Sequence, residues 1–292
     1  MGLHLDLVIS PQALAADMSL ETPDDLTLLD VRWQLGRDDG HEQYLAGHVP
    51  GASYVDMGTD LADPVGDGTR GRHPLPDPER FGAAMRRCGV RRDRPVVVYD
   101  DVAGTSAARA WWLLTYHGHP DVRVLDVGWA GYVDAGGPVE TGPVEVPPGD
   151  FVPDPGHLPV VDAEGAARLA AEGQLIDARA AERYRGDVEP VDPVAGHIPG
   201  AVNVPYAQVN LFSPDRGRPG FRIFDDTGTL YFRAVTGLDH ERPLGVYCGS
   251  GVTATHSVLA LARLGIVPAL YPGSWSEWVA DPSRPVATGP TP

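Results

Sequence analysis

At 292 residues the chain is long enough for about two ordinary domains, and its 42% hydrophobic content can bury real cores, which excludes a disordered chain. Its 23 basic residues against 40 acidic ones give a formal charge of −17, with no long basic run, which argues against nucleic acid or an anionic membrane as a partner. Two cysteines, Cys88 and Cys248, cannot build a disulfide framework, and no Cys/His spacing suggests a metal site.

The opening M-G-L-H-L-D-L-V-I-S-P has no basic region ahead of a long apolar stretch, and Asp6 stands where a myristoylation signal needs Ser or Thr. No apolar run reaches bilayer length, so a soluble cytoplasmic protein is expected. Ser10-Pro11 reads as an N-cap with proline at the first helical position. T-L-L-D-V then reads as a strand. Asp77-Pro78 repeats the N-cap signal and opens the helix E-R-F-G-A-A-M-R-R-C, in which Cys88 lies at helical spacing from Phe81 and Met85 and reads as core. V-V-V-Y is a buried strand, S-A-A-R-A-W-W-L-L-T-Y a helix and V-R-V-L a further strand. Residues 134–159 carry seven Pro and five Gly without apolar periodicity and read as a linker, semi-rigid where prolines are dense. Beyond it the order is helix (V-D-A-E-G-A-A-R-L-A), strand (I-D-A), strand (L-G-V-Y), helix (T-A-T-H-S-V-L-A-L-A-R-L) and strand (A-L-Y).

The chain repeats itself. L-L-D-V-R at 28–32 returns as L-I-D-A-R at 175–179, G-H-V-P-G-A at 47–52 as G-H-I-P-G-A at 196–201, and V-V-V-Y-D at 96–100 as L-G-V-Y-C at 244–248. L-D-V-G-W-A-G-Y at 125–132 loosely matches L-Y-P-G-S-W-S-E-W at 270–278. Offsets of 147, 149 and 148 residues in the same order identify a duplicated domain, with copies expected at 1–149 and 150–292. Alternating strands and helices predict an α/β fold in each copy, a mostly parallel sheet with helices on both faces. In such sheets ligands sit at the carboxyl ends of strands, and Cys248 ends one.

An isolated cysteine in a strand-to-helix turn is usually small, buried and inert. Around Cys248 the residues argue otherwise. Gly249 and Gly251 allow a tight turn and close backbone approach, and Ser250 and Thr253 add hydroxyl donors. A loop running into a helix N-terminus forms an anion site, which favours thiolate over thiol. Cysteine-dependent phosphatases share such a loop but need the arginine of C-x5-R; here Ala254 holds that position, which removes the phosphate clamp.

The C-G-S-G-V-T-A loop, the paired D-x-R and G-H-[IV]-P-G-A motifs, Y-P-G-S-W-S-E-W and the duplication together resemble the tandem-domain rhodanese family, the thiosulfate and 3-mercaptopyruvate sulfurtransferases, over essentially the whole chain. The resemblance implies two rhodanese-like domains of which only the C-terminal one is catalytic; Asp100 stands at the cysteine position of the other. It implies a double displacement through a persulfide on Cys248, cradled by the backbone of Gly249, Ser250, Gly251, Val252 and Thr253, with no metal or organic cofactor. The donor would be a small anionic sulfur compound, and the acceptor cyanide, a thiol or reduced thioredoxin. Ser250 would act with His73, of G-R-H-P-L-P, and an aspartate to polarise the donor. The family's D-x-D is here Asp56-Met57-Gly58, which leaves Asp60 and Asp63 as alternatives. His73 before Pro74 also reads as a plain loop residue.

Arg183 matches the family's substrate-binding arginine, and Arg179 one that braces the active-site loop; both are grouped here with the substrate site, against the commoner fate of a solvated charge at a helix start. The uncharged Gly249-Ser250 pair replaces the Arg-Lys of thiosulfate enzymes and favours 3-mercaptopyruvate. A second arginine of the mercaptopyruvate enzymes is replaced by Asp192, which works against that choice and leaves thiosulfate as the alternative. A persulfide carrier that hands sulfur to a protein partner would use the same loop. His48 and His197 occur in both copies and read as structural. A duplicated chain supplies both of its domains itself, which fits a monomer.

Overall fold

The computed structural model describes residues 7–18, 26–211, 222–223, 239 and 242–292. They form two compact units. The first draws on Met1–Asp63 and Pro76–His157, the second on Pro64–Leu75, Leu158–Leu211 and Ile223–Pro292. The Pro- and Gly-rich segment stays on the first unit as far as His157. Phe151 is fully buried, its N–H donates to the Val90 carbonyl, and Gly156 and His157 donate to that of Tyr116. The short segment Pro64–Leu75, by contrast, packs within the second unit.

In the first unit the order is β1 (Val8–Ile9), α1 (Pro11–Met18), β2 (Thr27–Asp30), α2 (Gly40–Ala46), β3 (Ser53–Tyr54), α3 (Pro78–Arg87), β4 (Val96–Tyr99), α4 (Thr105–Tyr116), β5 (Val122–Leu125) and α5 (Gly128–Asp134). The strands run β1-β5-β4-β2-β3, every pairing parallel. Covered on both faces, β4 is buried at all four positions, which is why it reads as a continuous Val run rather than an alternation. Both expected N-caps form. Ser10 Oγ accepts from Ala13 N at 3.1 Å, and Asp77 Oδ1 from the N–H groups of Glu79 and Arg80 at 2.9 and 3.2 Å.

Along the second half of the chain the order is α6 (Ala163–Ala171), β6 (Leu175–Asp177), α7 (Ala181–Arg185), β7 (Val202–Asn203), α8 (Tyr206–Val209), β8 (Asn210–Leu211), β9 (Arg222–Ile223), β10 (Gly245–Tyr247), α9 (Thr253–Ala262), β11 (Ala269–Leu270) and α10 (Ser274–Trp278). The sheet of the second unit is β11-β10-β6-β7, again parallel, and Val160 bridges Leu270 in parallel where β1 lies in the first copy. Strands β8 and β9 belong to neither large sheet.

The repeated motifs have a common structural cause. Tyr99 and Tyr247 end their central strands, and their hydroxyls accept the N–H of Val49 and Ile198 from the G-H-x-P-G-A turns. The buried His48 and His197 donate from Nδ1 to the carbonyls of Tyr44 and Tyr184, both at 2.8 Å, and stack on those rings. Identical contacts in both copies give the two histidines a structural part. Cys88 is buried in the first unit, where loss of solvent pushes its thiol up to about 11.

Candidate active site

Cys248 follows β10 directly, and the loop 249–252 leads into α9. Three hydrogen bonds from the next segment hold this loop. Cys248 N donates to Ser274 Oγ at 3.1 Å, Trp275 N to the Cys248 carbonyl at 3.0 Å, and Ser276 N to the Gly249 carbonyl at 2.9 Å. The Y-P-G-S-W-S-E-W motif is therefore the floor of the cysteine loop. Gly251 has φ +75°, and a Cβ there would collide with the Pro272 carbonyl oxygen, so glycine is required. Val252 and Thr253 bring the chain into α9, whose ten residues begin without a side-chain cap. The partial positive charge of its first turn thus lies beside the cysteine. Cys248 itself is 3% exposed.

The segment Pro64–Leu75 supplies a second wall. Gly71 has φ +81°, and a Cβ there would meet the Gly273 carbonyl oxygen at 2.7 Å and Ser276 Oγ at 2.9 Å, so the backbone lies flush on the floor. Arg72 N donates to Ser276 Oγ at 3.1 Å, which registers the next residue: His73 Nδ1 lies 2.8 Å from Ser250 Oγ. The fold thus brings Ser250 and His73 into contact. Of the aspartates left open, Asp60 accepts from Arg87 Nη2 at 2.8 Å and Asp56 N at 3.0 Å, and Asp63 from Asp77 N at 3.0 Å and Arg80 Nη1 at 3.4 Å.

The two sequence-nominated arginines differ in surroundings. Arg179 grips Asp177 through Nε and Nη2, donates to the Gly196 carbonyl at 2.6 Å, and lies 4.5 Å from the centre of the Trp275 ring. Burial opposes its charge, but Asp177, with help from Glu189, raises its pKa overall. Arg32 repeats this arrangement in the first unit with Asp30, the Gly47 carbonyl and Trp129. Trp275, under Arg179, is also the residue whose N–H donates to the Cys248 carbonyl.

Arg183 is the more open group. Its Nε and Nη2 hold Glu189 at 3.1 and 2.6 Å, and Nη2 also meets Asp192 Oδ2 at 3.1 Å. Burial raises the Glu189 carboxyl, but Arg183 and the N–H groups of Asp192 and Val191 leave it below its ordinary range.

Sequence reasoning missed Arg72, Glu189, Ser274 and Ser276. Arg72 pairs with Asp192 Oδ1, and its guanidinium lies against Gly249. The adjacency of Arg72 to His73 in G-R-H-P-L-P was a usable signal; the roles of Ser274 and Ser276 depend on backbone geometry that spacing does not reveal. Taken together, the site sets a cysteine, a His–Ser pair and three arginines around one strand end.

Among the described residues no helix is long and apolar enough to cross a membrane. The rhodanese-like domain is found twice, at residues 10–135 and 162–281. A Mycobacterium tuberculosis protein named as a thiosulfate sulfurtransferase, SseB, is 47% identical over 281 residues, covering 92% of this chain and 93% of that one. A Pseudomonas aeruginosa protein named as a 3-mercaptopyruvate sulfurtransferase is 44% identical over 287 residues, covering 97% and 98%. The crystal structure of the Escherichia coli 3-mercaptopyruvate enzyme SseA superimposes with a TM-score of 0.79 at 32% identity, covering 92% of this chain and 99% of that one. Two rhodanese folds in one chain, and relatives that match it nearly end to end, place it in one family: the chain belongs to the rhodanese family and is a sulfurtransferase.

Proposed function

We propose that the chain moves sulfane sulfur from 3-mercaptopyruvate to a thiophilic acceptor through a persulfide on Cys248, with thiosulfate as the alternative donor. The observation that carries this reading is the 2.8 Å contact of His73 with Ser250 in the loop that also bears Cys248. In the first half-reaction the Cys248 thiolate attacks the donor sulfur and an S–S bond forms. With 3-mercaptopyruvate the C–S bond breaks, its electron pair passes to the pyruvate enolate, and the enolate takes up a proton. With thiosulfate the S–S bond breaks and sulfite leaves. Cyanide, a thiol or reduced thioredoxin then attacks the outer sulfur and restores the thiolate. Ser250, hydrogen-bonded to His73, polarises the donor.

Arg183 binds the donor anion, Arg179 braces the loop, and the backbone of Gly249 to Thr253 receives the sulfur. The catalytic copy is 150–292, completed by His73 from the preceding half, and the copy 1–149 is otherwise structural. The uncharged Gly249-Ser250 pair supports 3-mercaptopyruvate, as does the name of the P. aeruginosa relative; that of the M. tuberculosis relative supports thiosulfate. Steady-state assays with both donors and cyanide as acceptor test the reading. The expected result is a higher kcat/KM with 3-mercaptopyruvate, lowered about 100-fold by His73→Ala or Ser250→Ala. Equal kcat/KM for the two donors refutes the donor choice, and native rates in both variants remove the His–Ser pair from the mechanism.

A further inference from the structure

The second unit carries an arginine beside the nucleophile that the mechanism above does not use. Arg72 leaves the segment Pro64–Leu75 one residue before His73 and reaches the cysteine loop. A Cβ on Gly249 would lie 3.0 Å from Arg72 Nη2 and 3.6 and 3.7 Å from the two terminal nitrogens of Arg183. Both guanidinium groups therefore lie against the residue that follows Cys248. Between them stands one carboxylate: Asp192 Oδ1 meets Arg72 Nη1, and Oδ2 meets Arg183 Nη2. A carboxylate bridging two guanidinium forks is the geometry in which these arginines would hold a carboxylate ligand.

We propose that Arg72 and Arg183 form a clamp for the donor's carboxylate, and that Asp192 occupies this clamp until the donor displaces it; the identity of the ligand rests on the sulfurtransferase reading above. Charge matching supports the exchange. Around the loop Arg72, Arg179 and Arg183 are balanced by Asp177, Glu189 and Asp192, so an arriving anion finds a neutralised site unless one carboxylate yields.

Asp192 is the one able to yield. Asp177 is fully buried under Arg179, and Glu189 is fixed by Arg183 and by the N–H groups of Val191 and Asp192. Asp192, among the described residues, meets only the two clamp arginines through its side chain. It comes from an irregular stretch between α7 and β7 on which Val188, Val191 and Val194 are exposed. Its burial, with Glu189 nearby, raises its carboxyl above the ordinary range despite Arg72 and Arg183, so it is a costly counterion.

The arginines are reachable from solvent, with side chains 25% and 18% exposed against 2% for Asp192. The buried Nε–H of Arg72 has no partner among the described residues, so the fork has a donor to spare. On a chain of net charge −17, a local clamp is also the means by which an anion can be held at all.

The test measures KM and kcat for 3-mercaptopyruvate, and calorimetric binding of pyruvate, in the native chain and in Asp192→Asn, Arg72→Ala, Arg72→Lys and the double variant Arg72→Ala/Asp192→Asn. Asp192→Asn should lower KM and tighten pyruvate binding several-fold, with kcat within about twofold; Arg72→Ala should raise KM about tenfold, the loss of one charge-assisted contact. Arg72→Lys should fall between native and Arg72→Ala, and the gain from Asp192→Asn should vanish in the double variant. Asp192→Asn keeps the volume and one acceptor oxygen, so it decides the matter even if Arg72→Ala does not fold. A native or raised KM in folded Asp192→Asn, or a native KM in folded Arg72→Ala, overturns the clamp. A native chain that takes no sulfur from 3-mercaptopyruvate overturns the preceding reading instead, and pyruvate binding then still decides the clamp by the same shifts.

Discussion

The loop after β4 and the loop after β10 are the same device with different contents. Asp100 and Cys248 each follow the tyrosine that ends the central strand, and each loop is held by a tryptophan beyond the next strand, Trp129 N donating to the Asp100 carbonyl and Trp275 N to that of Cys248. In the first copy the carboxylate of Asp100 accepts four backbone N–H groups, from Val102 at 2.9, Gly104 at 2.7, Ser106 at 2.8 and Ala107 at 2.9 Å. Burial still pushes that carboxyl up to about 6, against the pull of the four bonds. The first loop thus demonstrates what this turn does for an anion, and it is filled by its own side chain. The second loop is the corresponding turn with a thiol in place of that carboxylate.

The largest effect comes from making the second loop resemble the first. Cys248→Asp should fold, because the carboxylate fills the cradle, and should lose sulfur transfer by about 10,000-fold or more. Donor assays and a melting curve check both halves, and appreciable turnover would break the comparison.

Emptying the first loop should act on stability alone. Asp100→Ala leaves four inward N–H groups without their acceptor and should cost about 3 kcal/mol in denaturant titration, with kcat of the folded chain within about twofold of native. A loss of kcat at unchanged stability would show that the first copy takes part in the chemistry.

The third contrast is a difference in pH response, which builds up only on acidification. His256 in α9 is fully buried where the corresponding residue of α4 is Ala108. Desolvation lowers its pKa from 6.5 to about 4, so between these values the unfolded chain binds a proton that the folded chain does not. Its contribution is highest above pH 6.5 and falls on acidification to pH 4 by on the order of 3 kcal/mol. The native-minus-His256→Ala difference in stability, followed across that range, should shrink as pH falls; a flat difference would contradict the burial argument.

Much of this was legible because it is periodic or repeated. Val96–Tyr99 is buried on both faces and reads as a run, and Ser10-Pro11 and Asp77-Pro78 mark helix starts by local chemistry. Strands β3 and β7 escaped because two residues cannot show a period. The site divided in the same way. Cys248 and Ser250 stand in a loop legible from its residue types, and Arg183 and His73 were reached through the family resemblance. Arg72 and Asp192 acquire their meaning only when residues 120 positions apart meet. Asp192 reads in the sequence as standing where the family has an arginine; the fold brings Arg72 to it.

The most direct measurement is the mass of the intact chain after incubation with 3-mercaptopyruvate, followed by mapping of the modified peptide. The account predicts one added sulfur per chain on Cys248 and none in Cys248→Ser. Sulfur retained by Cys248→Ser, or mapped to Cys88, would contradict it.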